Sequence, residues 1–465
     1  MEKKYKLGVF ELTSVIVGSS IGTGIFGLNS DLARAAAPGP ALIAWLIVGA
    51  GMFCLVMSLN NLAQEKPGVG IFGYAGECFG PMGEFVSGWI YWNSGLLGNA
   101  AYAMMMMNAL GFSFPESYEN ENIIQMIGAV AVLWLLSFLV ICGVKSASFV
   151  NAVVTCAKLL PLLLFTAVMC MCFKAGIMTA DFWGRVSDKV ISGTYQPVSV
   201  FRQISSSLAV MVWAFFGIEG AEVLSRRARR PSDARKASVW GMITLTVVYI
   251  LVSLLPYGVM TRHELATCPQ PAMACIMQQT MGPVGVCIIN GGIIISTVGA
   301  WLAWTLLSGE TLLTLSRDGV LPEVFGRKNR YGAPRNAVLF GAFMQTVLLV
   351  ILHLMKNSYN QAYLMAMSAV FVVYLFVGID QVRFSLRQGD RGGILIGPGV
   401  VLLQLWAMFM MGYWQALGMF ILYLPGLVLY AYARRERGFR LSKKEMVVVV
   451  MSVLIGVEII SMLFF

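Results

Sequence analysis

The chain has 465 residues, 58% of them apolar and only 12% charged, with a formal net charge of +10. So much apolar surface exceeds what a soluble core of this length buries, which excludes a soluble globular protein and points to an integral membrane protein. The positive charge sits in alternate loops rather than on one face, so it reads as a topology signal and not as a site for nucleic acid.

Apolar runs of about 18 residues or more mark about thirteen candidate spans. They lie near 9–28, 41–63, 84–112, 123–143, 149–173, 203–225, 237–260, 282–316, 337–355, 360–383, 394–410, 413–432 and 445–465. A membrane barrel would need short segments of about 10 residues with alternating polarity, and the sequence has none. The expected fold is all-α with about 12–13 transmembrane helices. The first run is long, glycine-rich and lacks an Ala-x-Ala site, so it reads as the first span and not as a cleaved signal peptide.

Helix 1 carries Val17-Gly18-Ser19-Ser20-Ile21-Gly22-Thr23-Gly24-Ile25-Phe26-Gly27. Glycine costs about 1 kcal/mol relative to alanine inside a helix, so this run favours a local unwinding. Unwound backbone groups cannot be satisfied by lipid but can be satisfied by a polar ligand, which makes Gly22, Thr23 and Gly24 candidate ligand contacts. Close packing of helices through small residues is the alternative reading. Lys3, Lys4 and Lys6 precede this helix and place the N-terminus in the cytoplasm.

The connection 115–122 is acidic and falls outside in that topology. Lys158, about ten residues inside helix 5, can titrate when buried or snorkel to the cytoplasmic interface.

Helix 6 contains Phe215-Phe216-Gly217-Ile218-Glu219-Gly220-Ala221-Glu222. A carboxylate at bilayer depth costs at least ~2.5 kcal/mol, so Glu219 is read as facing a polar pathway rather than as a purely structural group. Glu222 has Arg226 four residues later and is read as an ion pair. The cluster Arg226, Arg227, Arg229, Arg230, Arg235 and Lys236 follows on the cytoplasmic side.

The loops 174–202 and 261–281 are expected outside, with short interfacial helices. Cys268 and Cys275 share the second of them, which leaves a disulfide open to them on that oxidising side. The other cysteines are scattered, with no CxxC, so no metal site, redox site or cofactor is expected. Helices 7 and 9 carry few polar residues and read as scaffold. No His/Asp/Cys constellation suggests an enzyme.

The breaks in helices 1 and 6 are five spans apart, the expected signature of an inverted repeat with substrate held where two discontinuous helices meet. Residues 1–173 would form the first repeat, 203–383 the second, and 394–465 additional C-terminal helices available for packing or a homodimer. An odd helix count leaves Phe465 outside; one helix fewer reverses that.

Four runs make the reading more specific: Gly22-Thr23-Gly24-Ile25-Phe26, Tyr91-Trp92-Asn93-Ser94-Gly95-Leu96-Leu97-Gly98-Asn99, Trp213-Ala214-Phe215-Phe216-Gly217-Ile218-Glu219-Gly220-Ala221, and Trp304-Thr305-Leu306-Leu307-Ser308-Gly309-Glu310-Thr311. In this order they resemble the basic amino acid/polyamine antiporters of the amino acid–polyamine–organocation superfamily, especially arginine–ornithine antiporters. The resemblance implies a five-plus-five, LeuT-like inverted repeat in a cell inner membrane, and exchange of a cationic amino acid for ornithine or a related product. Proton-coupled uptake without exchange is the alternative. It implies that Ile21, Gly22, Thr23 and Gly24 meet the substrate carboxylate and that the Ile218 carbonyl lies near its amino group. It further implies that Trp304 stacks on the side chain, Asn99 hydrogen-bonds the substrate and Trp213 covers it. Tyr91, Glu219 and Lys158 would serve gating or proton coupling.

Overall fold

A computed structural model describes residues 8–22, 24–66, 69–113, 123–143, 147–185, 198–219, 229–354, 358–411 and 413–464. The described residues form helices and no strands. In chain order these are α1 (Val9–Ser20), α2 (Gly24–Ala35), α3 (Pro38–Glu65), α4 (Gly70–Ser113), α5 (Ile123–Ile141), α6 (Ala147–Cys172) and α7 (Ala175–Ala180). They continue with α8 (Val200–Ala214), α9 (Pro231–Leu254), α10 (Arg262–Thr267), α11 (Ala272–Met281) and α12 (Pro283–Arg317). The last are α13 (Arg335–His353), α14 (Ser358–Gln388), α15 (Arg391–Met411), α16 (Tyr413–Glu436) and α17 (Lys443–Phe464).

Seven of the described helical segments are long and apolar enough to cross a bilayer, among them Pro38–Glu65, whose 28 residues rise about 42 Å. The protein is a multi-pass, all-α membrane protein. The span expected at 9–28 is divided into α1 and α2 by the glycine-bearing gap after Ser20. The expected external loops do contain short helices, namely α7, α10 and α11.

The chain clusters into two compact units. The first comprises residues 1–65, 105–122 and 146–300; the second comprises 66–104, 123–145 and 301–465.

In the first unit α2 is buried along most of its length. Its C-terminal carbonyls, which no helical amide can satisfy, are met from the segment after α9. Arg262 donates from Nε to the Ala33 carbonyl at 2.8 Å, and the Tyr257 hydroxyl donates to the Ala36 carbonyl at 2.8 Å. A guanidinium at this end also complements the negative pole of the helix. Trp45 of α3 donates from its indole to Ser253 Oγ at 2.8 Å and packs edge-on against Phe215. Cys268 and Cys275 form a disulfide.

The second unit is built on an aromatic core in which Phe85, Trp89 and Trp92 of α4 pack with Leu312, Leu315, Phe325 and Tyr430. Its helices approach closely through glycine: a Cβ on Gly88 would lie 2.3 Å from Leu315 Cδ2, and one on Gly426 would lie 2.3 Å from the Trp89 ring. Within the same unit Lys66 Nζ lies 2.6 Å from both Asp380 Oδ2 and Glu77 Oε2. Asp380 is 2% exposed, so this is a buried carboxylate with its countercharge. Burial alone would lower the Lys66 pKa, but the hydrogen bonds that Lys66 donates to Asp380 and Glu77, with the negative charge of both, outweigh it and hold the pKa above the usual lysine value.

Candidate functional site

Helices α1 and α8 end at one side chain. Ser20 is the last residue of α1 and Ala214 the last of α8, and each leaves a carbonyl that its own helix cannot bond. Tyr249 of α9, fully buried, places its hydroxyl 2.6 Å from the Ala214 oxygen and 3.2 Å from the Ser20 oxygen. The single hydroxyl proton is donated mainly to Ala214, with Ser20 the longer, shared acceptor. The backbone beyond Ala214 tightens into turns in which Phe215, Phe216 and Ile218 donate to carbonyls three residues back. Gly217 then takes φ of 99°, a left-handed conformation that glycine alone adopts without strain.

Glu219 closes this break. It is 5% exposed, and its Oε2 accepts from the Gly217 N–H at 3.1 Å. The carboxylate expected to face a polar pathway is thus tied in part to the backbone of its own turn.

The start of α2 lies against the end of α8. A Cβ on Gly24 would fall 2.4 Å from Trp213 Nε1, so the indole rests on the first turn of α2 where no side chain stands. Trp213 stacks on Phe216, with ring centroids 5.3 Å apart. A helix N-terminus offers free amides and partial positive charge, chemistry suited to a carboxylate. Of the residues anticipated from sequence, the fold therefore brings Gly24 and Trp213 into contact. Ile21 is fully buried and donates to the Val17 carbonyl, Gly22 is half-buried, and Ile218 is buried. Thr23, Glu222, Arg226 and the side chain of Lys158 lie outside the described residues.

The second unit brings together Tyr91 and Trp304, with ring centroids 6.1 Å apart, and Phe72 lies 6.0 Å from Tyr91. Trp304 is 8% exposed. A Cβ on Gly95 would lie 2.8 Å from Ser308 Oγ and 3.5 Å from the Trp304 ring, so glycine there gives the indole its seat. Asn99 is buried with neither end of its amide bonded to a described residue. It lines a cavity of about 10 Å³, room for about one water molecule, together with Ser137, Thr305, Ser308 and Gln345. The Oγ atoms of Ser137 and Ser308 and Gln345 Nε2 also lack bonding partners among the described residues.

Sequence reasoning passed over Tyr249, Asp380 and Gln270. Asp380, a carboxylate inside an apolar run, carried a legible signal, since such groups are rare without a partner. Tyr249 and Gln270 carried none, because an aromatic in a span and a polar residue in a loop are ordinary. Among the described residues no group of three His, Cys, Asp or Glu could hold a metal ion.

The family described as amino acid permease matches residues 7–428. The chain is 40% identical to an arginine/ornithine antiporter of Latilactobacillus sakei, covering 98% of this chain and 97% of that protein. It is 37% identical to an arginine/ornithine antiporter of Lactococcus lactis, over 98% and 89% of the two chains. It is also 35% identical to one of Pseudomonas aeruginosa, over 94% and 92%. A family match across nine-tenths of the chain, with relatives of this identity along its full length, means that the protein belongs to the amino acid permease family, which are transporters and not enzymes.

Proposed function

We propose that the protein is an antiporter of the cell inner membrane that exchanges arginine, or a similar cationic amino acid, for ornithine or a related product by alternating access. The observation that carries this reading is full-length identity of 34–40% to proteins named as arginine/ornithine antiporters or putative ones. The contacts of Gly24 with Trp213 in the first unit and of Tyr91 with Trp304 in the second support the following roles. The amides of Gly22, Thr23 and Gly24, with Ile21, receive the substrate carboxylate, and the Ile218 carbonyl receives the amino group. Trp304 stacks on the cationic side chain, a contact worth about 0.5–2 kcal/mol. Asn99 contributes hydrogen bonds, Trp213 covers the carboxylate end, and Tyr91, Glu219 and Lys158 act in gating or proton coupling.

Two features support the finer architecture. The gap between α1 and α2 lies in the first helix of the first proposed repeat, and α8 ends at Ala214 in the first helix of the second, corresponding places in a five-plus-five inverted repeat. The Cys268–Cys275 disulfide favours an external loop and hence a cytoplasmic N-terminus, since disulfides persist on the oxidising side.

Uptake of labelled arginine into proteoliposomes tests the reading. Uptake only into vesicles preloaded with ornithine or another counter-substrate is the expected result. Uptake into empty vesicles driven by an imposed pH gradient would make the protein a proton-coupled permease instead.

A further inference from the structure

The disulfide between Cys268 and Cys275, with Cα atoms 5.9 Å apart, closes a ring of eight residues, and Gln270 lies inside that ring. Its side chain reaches out of the loop to the face of α2. Nε2 lies 3.1 Å from the Gly27 carbonyl oxygen, 3.1 Å from Ser30 Oγ and 3.3 Å from Asp31 Oδ2. At the other end of the amide, Oε1 accepts from the Ala272 N–H at 3.3 Å, which ties the side chain back to its own ring. Gly27 accommodates this approach because it has no side chain: a Cβ there would lie 2.6 Å from Gln270 Oε1 and 2.9 Å from Met105 Cε.

Helix α2 needs such an anchor. It is twelve residues long, and the gap after Ser20 removes the support that a continuous helix would give its first turn. A helix this short has little stability of its own and keeps its place through tertiary contacts. At its far end it is held by Arg262 and Tyr257. On the turn that follows the break, Gln270 bonds the carbonyl of Gly27, three residues from Gly24. Asp31 Oδ1 is paired with Arg34 at 3.1 Å, and Asp31 Oδ2 is the oxygen that faces Gln270.

We propose that Gln270, held in register by the Cys268–Cys275 disulfide, is a positioning residue that fixes the amide end of α2 for the substrate carboxylate. The inference rests on the carboxylate reading given above. The ring limits the conformations open to Gln270, and the bonds from Nε2 transmit that restriction to the turn that begins at Gly24. Opening the ring frees the side chain and lets that turn fray. The disulfide thereby acts on substrate affinity from a loop that does not touch substrate.

The test compares wild type, Gln270→Met, which keeps length without the amide, and the double variant Cys268→Ser/Cys275→Ser. The triple combination is also made. Amide hydrogen exchange across residues 24–35 in purified, substrate-free protein is the first readout, and the KM and kcat of L-arginine exchange are the second. The expected result is exchange at least tenfold faster in this segment in both kinds of variant. KM should rise about tenfold with kcat changed less than twofold, and the triple variant should be no worse than either parent, since both changes act through one contact. Reduction of wild type with a phosphine should reproduce the double variant and leave that variant unchanged. Wild-type hydrogen exchange in Gln270→Met, or additive effects in the triple variant, would overturn the proposal. Faster hydrogen exchange with an unchanged KM would leave Gln270 as an anchor of α2 and would instead remove the carboxylate from that helix end.

Discussion

The Tyr249 hydroxyl lies 2.6 Å from the carbonyl oxygen of Ala214, and the same hydroxyl reaches the Ser20 carbonyl at 3.2 Å. One side chain thus serves the C-terminal ends of α1 and α8. Tyr249→Phe keeps the ring, with its packing on Trp45 and Phe215, and removes only the donor. Leaving buried carbonyls without it should destabilise the protein by about 1–3 kcal/mol. The break geometry should loosen as well, lowering exchange turnover by roughly tenfold on the same grounds. Thermal unfolding together with proteoliposome exchange measures both, and wild-type turnover would reduce Tyr249 to packing.

Gly24→Ala should abolish substrate binding while the protein still folds. The new methyl would stand 2.4 Å from Trp213 Nε1, so either the indole or the first turn of α2 must move. Overpacking of this kind costs about 1–3 kcal/mol. Reducing the bulk opposite, in Gly24→Ala/Trp213→Phe, should recover part of the stability. Binding of labelled arginine to purified protein, followed alongside the melting temperature, separates the two effects.

Trp304→Ala should weaken arginine by about 0.5–2 kcal/mol, roughly 2- to 30-fold in Kd, if the cation stacks on the indole. Trp304→Phe should lose less. Tyr91, whose ring centroid is 6.1 Å from that of Trp304, would then lose its neighbour without losing its place, since it also packs on Phe72. An unchanged Kd for arginine in Trp304→Ala would assign the indole to packing alone.

Lys66→Met should destabilise the protein by about 3–5 kcal/mol, because it leaves Asp380 charged and buried without its partner. Lys66→Met/Asp380→Asn should recover much of that loss. The sign of the pH dependence follows from the raised Lys66 pKa. The stabilisation is fully present below the ordinary lysine value and fades only as pH rises through the higher folded value. Melting temperatures across pH 6 to 9 should therefore show no change from this pair, and a loss beginning only in the alkaline range.

Much of the architecture was legible in the sequence because its causes are local. Runs of apolar residues mark spans, and the glycines around Gly22 and Gly217 mark the places where helix gives way. The structure interrupts helix 1 after Ser20, and it ends α8 at Ala214 with turns through Glu219. The pairing of Cys268 with Cys275, seven residues apart, was open to sequence for the same reason. Glu219 was legible as an anomaly, but that it would accept from the Gly217 N–H depended on the turn that Gly217 makes.

The sequence by itself determined a membrane-embedded helical chain, the glycine-rich break in helix 1 and the family, since each follows from the preferences of neighbouring residues or from runs of identity. Only the tertiary structure decided what holds the helix ends in place. Tyr249 meets Ser20 across 229 positions, Gln270 meets Gly27 across 243, and Lys66 meets Asp380 across 314. Each of these is a hydrogen bond or ion pair in a buried or half-buried place, where an unpartnered polar group is costly enough that packing must supply a mate. No local preference names that mate, because it is selected by which helices the fold sets side by side.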